Sequence, residues 1–425
     1  EGPWGRLAPT ERGRILVKIG EAVLAHKEEL AQIEARDTGK PMSTARNDIK
    51  VLARYFEFYG SAADKVHGET IPFLAGHQVS LLREPLGVTA HIIPWNYPAQ
   101  MMGRTVAPAL AMGNATVLKP AEDTSLSALR FAEIATAAGL PEGVLNIVTG
   151  LGEEAGAALA AHPGIDFISF TGSNEVGTLV QQAAAKNAVK CVLELGGKSP
   201  QIVFDDVDVA RAVPIVVRAI VQNAGQTCTA GSRLLVQRSI YDRFVGQVAE
   251  AFAKVRVGTP RMDLDCGPVM NPAQHRRVQR YVDNARAAGI PVIAEGRIAD
   301  GVSPTGYWIR PTLFGPVPRT DALACEEVFG PVLAAMPFED EADAIALANG
   351  TPYGLLAAVW TENAGRLHRV AKAVKAGQVF MNCYGAGGGV ELPFGGTKRS
   401  GHGREKGLLA LEEVSTTKTL VHHHG

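Results

Sequence analysis

The sequence is poor in cysteine, and the few it has are dispersed. Five in 425 residues (Cys191, Cys228, Cys266, Cys325 and Cys383) form no CxxC pair. An odd, scattered set excludes a disulfide framework and a structural zinc site, so no metal is expected and a reducing cytosol, hence a cytoplasmic location, fits best. Net charge is nearly absent as well: 42 Lys and Arg against 43 Asp and Glu leave −1, which gives no general field to draw nucleic acid or an anionic membrane. No apolar run is long enough to span a bilayer, and residues 1–5 carry no signal-peptide pattern. Internal repeats and low-complexity linkers are missing too. What remains is ordinary globular composition, 46% hydrophobic and 20% charged, long enough for two or three domains with substantial cores. The partner that suits such a chain is a small molecule.

Apolar residues Ile15, Ile19, Val23, Leu24 and Leu30 recur at helical spacing over residues 10–37 and predict one or two amphipathic helices, ending near Gly39-Lys40-Pro41. A further helix is expected over 45–63. Residues 67–73 and 78–83 read as a hairpin, and 415–421 as a β-type run able to pair with it. Four strand–turn–helix units follow the hairpin, with strands at 87–93, 115–119, 144–148 and 165–170. Strands alternating with helices imply a parallel, doubly wound α/β sheet, whose ligands sit outside the carboxyl ends of its strands. A second α/β pattern runs over 201–381, with strands expected at 201–204, 233–237, 292–294 and 333–335 and helices at 210–223, 240–255, 272–288 and 340–347. The terminal His422, His423 and His424 read as a solvated end without function.

Several turns carry chemistry. Gly150, Gly152 and Gly156 would let backbone approach a pyrophosphate, and Ser173 at a helix start offers a hydroxyl and free N–H groups to an anion. The spacing GxGxxxG is not the dinucleotide fingerprint, and capped tight turns give the same residues. Lys119 and Glu122, at one strand end, suit ribose hydroxyls, although each taken singly is more often a solvated charge. Glu194 lies inside an apolar run just before Gly196-Gly197; partial desolvation there would raise its pKa and fit it for proton abstraction, against the plainer reading of a structural buried pair. Cys228 sits among small and polar residues in Gly225-Gln226-Thr227-Cys228-Thr229-Ala230-Gly231. A lone cysteine is more often a small buried hydrophobe than a nucleophile, so its neighbours have to decide.

Taken together, PWNYP at 94–98, KPAE at 119–122, FTGS at 170–173, LELGGKSP at 193–200, GQTCTAGSR at 225–233, EEVFGPV at 326–332 and PFGGTKRSGHGRE at 393–405 resemble the aldehyde dehydrogenase superfamily. The resemblance covers nearly the whole chain, in one order, although the chain starts later than members usually do, so an N-terminal segment is expected to be missing. It implies a Rossmann-like cofactor-binding domain over 1–65 and 87–195, a catalytic α/β domain over 196–400, and a small β oligomerisation arm from 66–86 and 410–421 that makes a homodimer or homotetramer. It also implies NAD-dependent oxidation of an aldehyde to the carboxylic acid. Cys228 would attack the carbonyl, Asn96 and the Cys228 N–H would hold the oxyanion, and Glu194 would activate the hydrolytic water. Ile92, Ile93, Trp95, Lys119, Glu122, Gly152, Phe170, Gly172, Ser173, Val176, Leu195, Glu327 and Phe329 would contact the cofactor. Glu122 beside the adenosine ribose would repel a 2′-phosphate and favour NAD over NADP.

For the substrate, Tyr97, Met101, Arg104, Tyr384 and Phe394 are the candidate tunnel residues. Two positions depart from the family pattern: Thr105 stands where many relatives have a lysine, and Leu408 where they have a glutamate. Arg104 then either binds a polar tail or forms a structural salt bridge. The alternatives are a CoA-acylating dehydrogenase, against which a water-activating Glu194 argues, and a non-catalytic relative, against which Cys228, Glu194 and Asn96 together argue.

Overall fold

The structure, a computed structural model, describes residues 2–385 and 389–425. Near the N-terminus three helices, Pro9–Ala25, Lys27–Thr38 and Met42–Ala62, bury Leu16, Ile19, Val23, Ile49, Leu52 and Phe56. Their apolar spacing of three and four places those side chains on one stripe, which packs against the helix Pro98–Ala111. The middle helix stops at Gly39, whose φ of 78° closes the last turn in the left-handed conformation.

The first large sheet has six strands in the order Gly401–His402, Lys190–Glu194, Phe167–Thr171, Val88–Ile92, Ala115–Lys119 and Leu145–Ile147. All pair in parallel except the two-residue edge strand Gly401–His402. Chain order runs outward from Val88–Ile92 to one side and then from Phe167–Thr171 to the other. The topological switch therefore lies between these two strands, where open α/β sheets bind their ligands.

The second large sheet has seven strands, in the order Val292–Glu295, Thr312–Phe314, Val332–Phe338, Arg233–Gln237, Pro200–Val203, Leu356–Trp360 and Gln378–Met381. It is parallel but for the antiparallel edge strand Val292–Glu295. Its central strands are buried on both faces, and Leu234, Leu235, Val236, Leu333, Ala335, Ala357 and Val359 are fully enclosed. A third, three-stranded sheet joins Glu69–Ile71, His77–Pro85 and the terminal Ser415–His423 in antiparallel register.

The expected strands at 115–119 and 233–237 match the structure residue for residue, and the others shift by one to three residues. Lys190–Glu194, Leu356–Trp360, Gln378–Met381 and Thr312–Phe314 are among the strands that the sequence reading leaves out, and the helix Ala364–Ala373 is left out too. LAAVW, buried on both faces, shows no alternation, so its period carries no signal. The helix expected after Gly156 is only a π-turn, Gly152–Gly156, and one short turn, Ala157–Ala160. The terminal strand runs two residues further than expected, taking His422 and His423 into the ladder opposite Gln78 and His77.

Candidate active site

Register brings the ends of the six-stranded sheet level with one another. Ile92 pairs with Lys119 and with Phe170, and Thr171 pairs with Glu194. Just beyond these ends one cavity of about 920 Å³ opens, with Trp95, Asn96, Gly172, Ser173, Glu194, Cys228, Glu327 and Phe329 on its wall. The segments that reach it include the loop after Val88–Ile92, the loop after Phe167–Thr171, and, third, the segment after the helix Val209–Val221.

That third segment explains how a cysteine comes to the wall. Asn223, Ala224 and Gly225 hold φ values of 49°, 53° and 71°, three successive left-handed residues that turn the chain out of the helix. Cys228 follows, half-buried, against Leu355, Leu356 and Phe394. Gly196 and Gly197 allow the end of the Glu194 strand to approach: a Cβ on Gly197 would meet the Cys228 carbonyl at 2.3 Å, and one on Gly196 would meet Glu327 Oε2 at 2.3 Å. Burial pushes the Cys228 thiol up to about 12; Arg104 opposes that shift, while Glu327 and Glu194 add to it.

Asn96 is buried, and its Nδ2 donates to the Gln226 carbonyl at 3.0 Å, leaving its second N–H for a ligand. Its own carbonyl accepts from Lys40 Nζ and from Asn223 Nδ2, both at 3.0 Å, so the peptide is fixed from behind. Glu194 ends its strand with only 2% of its surface exposed, and among the described residues neither carboxyl oxygen has a hydrogen-bond partner. Burial raises its pKa well above the ordinary range; Arg104 opposes this, Glu405 reinforces it, and Arg404 and Lys406 oppose it.

On the cofactor side, Ser173 caps the helix Asn174–Ala185, its Oγ accepting from Val176 N at 3.2 Å. A hydroxyl, a helix N-terminus and the sheet's switch point thus coincide on the cavity wall, which suits a phosphate group. Lys119 is buried rather than solvated, and its Nζ donates to Glu122 Oε2 at 3.0 Å. Glu327 accepts from Gly197 N at 2.8 Å, and burial lifts it to about 7. Phe329 has a φ of 60° and meets Trp95 edge to face at 5.5 Å. Ile92, Ile93, Lys119, Glu122, Gly152, Phe170, Val176 and Leu195 lie off the cavity wall, on or beside the same strand ends.

The candidate substrate residues divide. Tyr97, Met101, Arg104 and Phe394 line the cavity. Tyr384 does not: it stands behind Cys228, packed on Phe380, with its hydroxyl donated to the Thr229 carbonyl, so it supports the nucleophile loop instead. Thr105 is also off the wall, its hydroxyl turned to the Met101 carbonyl at 3.1 Å. Tyr97 is tied down by Thr227 Oγ1 at 2.9 Å and Gln222 Nε2 at 3.0 Å. Lys40, Glu405 and Lys406 are groups of the site that the sequence reading did not single out, although Glu405 closes the last quoted motif. Among the described residues no cluster of three or more His, Cys, Asp or Glu is placed to hold a metal ion, and no helix is long and apolar enough to cross a membrane.

A Rossmann-like sheet with anion-binding groups at its switch point, facing a half-buried thiol and a buried amide and carboxylate, defines a two-sheet α/β oxidoreductase. The profile of the aldehyde dehydrogenase family matches residues 1–420. An aldehyde dehydrogenase of Emericella nidulans is 43% identical over 100% of this chain and 85% of its own length. A Burkholderia cenocepacia protein assigned to the aldehyde dehydrogenases superposes with a TM-score of 0.99 at 58% identity, covering 100% of this chain and 89% of that one. The NAD-dependent aldehyde dehydrogenase of Sinorhizobium meliloti does so with a TM-score of 0.96 at 38% identity, covering 100% and 84%. The chain belongs to the aldehyde dehydrogenase family.

Proposed function

We propose that Cys228, Asn96 and Glu194 carry the NAD-dependent oxidation of an aldehyde to its carboxylic acid. The observation behind this reading is their convergence on one cavity at the carboxyl edge of the six-stranded sheet. Cys228, once its thiol proton has left to solvent, bonds as the thiolate through Sγ to the aldehyde carbon, and the free N–H of Asn96 Nδ2, with the Cys228 N–H, receives the oxyanion. Bound NAD would supply the hydride acceptor, so that the carbon attached to Cys228 Sγ reaches the oxidation level of a thioester. Glu194 then removes a proton from the water that displaces Cys228 and releases the acid. Trp95, Gly172, Ser173, Glu327 and Phe329 would hold the cofactor at the wall, with Lys119 and Glu122 at its adenosine end. A carboxylate there favours NAD, because it accepts from free ribose hydroxyls and repels a 2′-phosphate.

The three-stranded sheet leaves Leu82, Leu420 and Val421 exposed, which supports a homodimer or homotetramer built on that arm. A reducing compartment such as the cytoplasm suits an unpaired catalytic thiol. The test is NADH formation over a panel of aldehydes, with NAD and with NADP, for the native chain and Cys228→Ser. The expected result is turnover with NAD that falls by about 10³-fold or more in the variant, with weaker turnover on NADP. Unchanged turnover by Cys228→Ser removes the thiol from the chemistry, and equal efficiency with NADP removes Glu122 from cofactor choice.

A further inference from the structure

The helix Pro98–Ala111 starts two residues after Asn96 and carries Met101 and Arg104, three apart, on the face that lines the cavity. Arg104 is buried there and held on every side. Its Nε faces Glu405 Oε2, its guanidinium lies 4.2 Å over the Phe394 ring, and Nη1 reaches Met101 Sδ at 3.7 Å. Glu405 is itself anchored: its other oxygen accepts from Ser169 Oγ at 2.8 Å, and its backbone pairs with Phe394. The remaining edge of the guanidinium, Nη2, stands 3.6 Å from Glu194 Oε2. Among the described residues Glu194 has no hydrogen bond, so this charged contact is the one that locates its carboxyl.

We infer that Arg104, held by Glu405, is the positioning residue of Glu194: it fixes where the carboxyl sits and is the counter-ion of the carboxylate that takes a proton from water. This rests on Glu194 acting as the base. A guanidinium stays charged at any working pH, so it is a permanent counter-ion in a pocket where a carboxylate alone would remain protonated. The other charged groups facing Glu194 are Arg404, Lys406 and Glu405 from the glycine-rich loop, and Tyr55 and Cys228 also face Arg104. Arg104 has the largest opposing influence among them. Thr105 and Leu408 offer no substitute, the first being turned into its own helix and the second exposed.

The experiment compares Arg104→Met, Arg104→Lys, the double variant Arg104→Met with Glu405→Gln, and Glu194→Gln. Each is measured as the full chain with NAD and an aldehyde that the native chain oxidises, starting from propanal and benzaldehyde. Stopped-flow NADH bursts report thioester formation, steady-state kcat against pH reports hydrolysis, and circular dichroism reports folding. Glu194→Gln should keep the burst and lose turnover. Arg104→Met should keep the burst, lose about tenfold or more in kcat near pH 7, and recover at high pH, its acidic limb moved up by about one unit or more. Arg104→Lys should fall between it and the native chain. If Arg104→Met does not fold, the double variant decides, since it leaves no buried carboxylate beside a missing cation, and its limb should move the same way by less. A native limb in a folded variant lacking Arg104, or a loss equal at every pH, overturns the positioning role alone. Native turnover by Glu194→Gln overturns the base and this inference with it.

Discussion

Two buried clusters flank the reactive loop, and each sets one cation between two carboxylates. In the first, Lys40 Nζ donates to Asp48 at 2.6 Å, to Glu34 at 3.3 Å and to the Asn96 carbonyl at 3.0 Å, so all three of its protons are used. In the second, Arg104 faces Glu405 and Glu194, yet among the described residues both Glu194 oxygens, and Nε and Nη2 of Arg104, lack well-formed hydrogen bonds. The composition is the same and the satisfaction differs. A cation whose donors are spent fixes backbone; a carboxyl with free lone pairs in a cavity is available to take a proton. Asn96 joins the two, its carbonyl in the first cluster and its amide on the shared cavity wall.

The largest effect that would sharpen this contrast is on stability. Lys40→Met leaves Asp48 and Glu34 buried without their cation and should cost about 3–5 kcal/mol, read as a lower urea midpoint at neutral pH. A midpoint within experimental error of the native chain would mean that the first cluster is not scaffolding. Next comes Asn96→Ala, expected to lower kcat by about 10²–10³-fold through loss of one oxyanion donor. Its stability should change little, because the Gln226 carbonyl keeps the Asn223 Nδ2 bond at 3.3 Å. A large drop in midpoint with kcat unchanged would reverse that assignment.

The smallest effect is a slope with pH. Burial raises Glu34 from its ordinary 4.5 to about 7 in the folded chain, so the folded state holds a proton that the unfolded state releases first. Its contribution is fully present below about pH 4.5 and is lost as pH rises through about 7. Glu34→Gln should flatten the fall in urea midpoint across that window. An identical pH dependence in the variant would place the slope elsewhere.

Much of the cavity wall was legible from the sequence because its signals are local. A cysteine among glycines and small residues, a glutamate inside an apolar run before two glycines and a serine starting a helix are each read within about ten positions. The clusters behind them were not. Gly39-Lys40-Pro41 reads as a helix stop, and a lysine in such a turn is ordinarily solvated; here it is 1% exposed because two other segments close over it. The guanidinium of Arg104 meets a carboxylate near the other end of the chain, a pairing that no spacing rule contains. Tyr384 was misplaced for a related reason: an aromatic side chain suits a tunnel, but its hydroxyl is claimed by the Thr229 carbonyl, a partner that no spacing reveals.

By itself, then, the sequence determined the helices with a stripe of period 3.6, the alternation of strands and helices, and which residue types at strand ends have usable chemistry. Those properties follow from backbone geometry and from the side chain's own functional group, which travel with the residue. Tertiary structure alone decided which charges lost their water and which partners they then met. The ionisation of Cys228 and Glu194 depends on that burial and on a neighbour brought in from another part of the chain, so it exists only once the sheets have closed around the cavity.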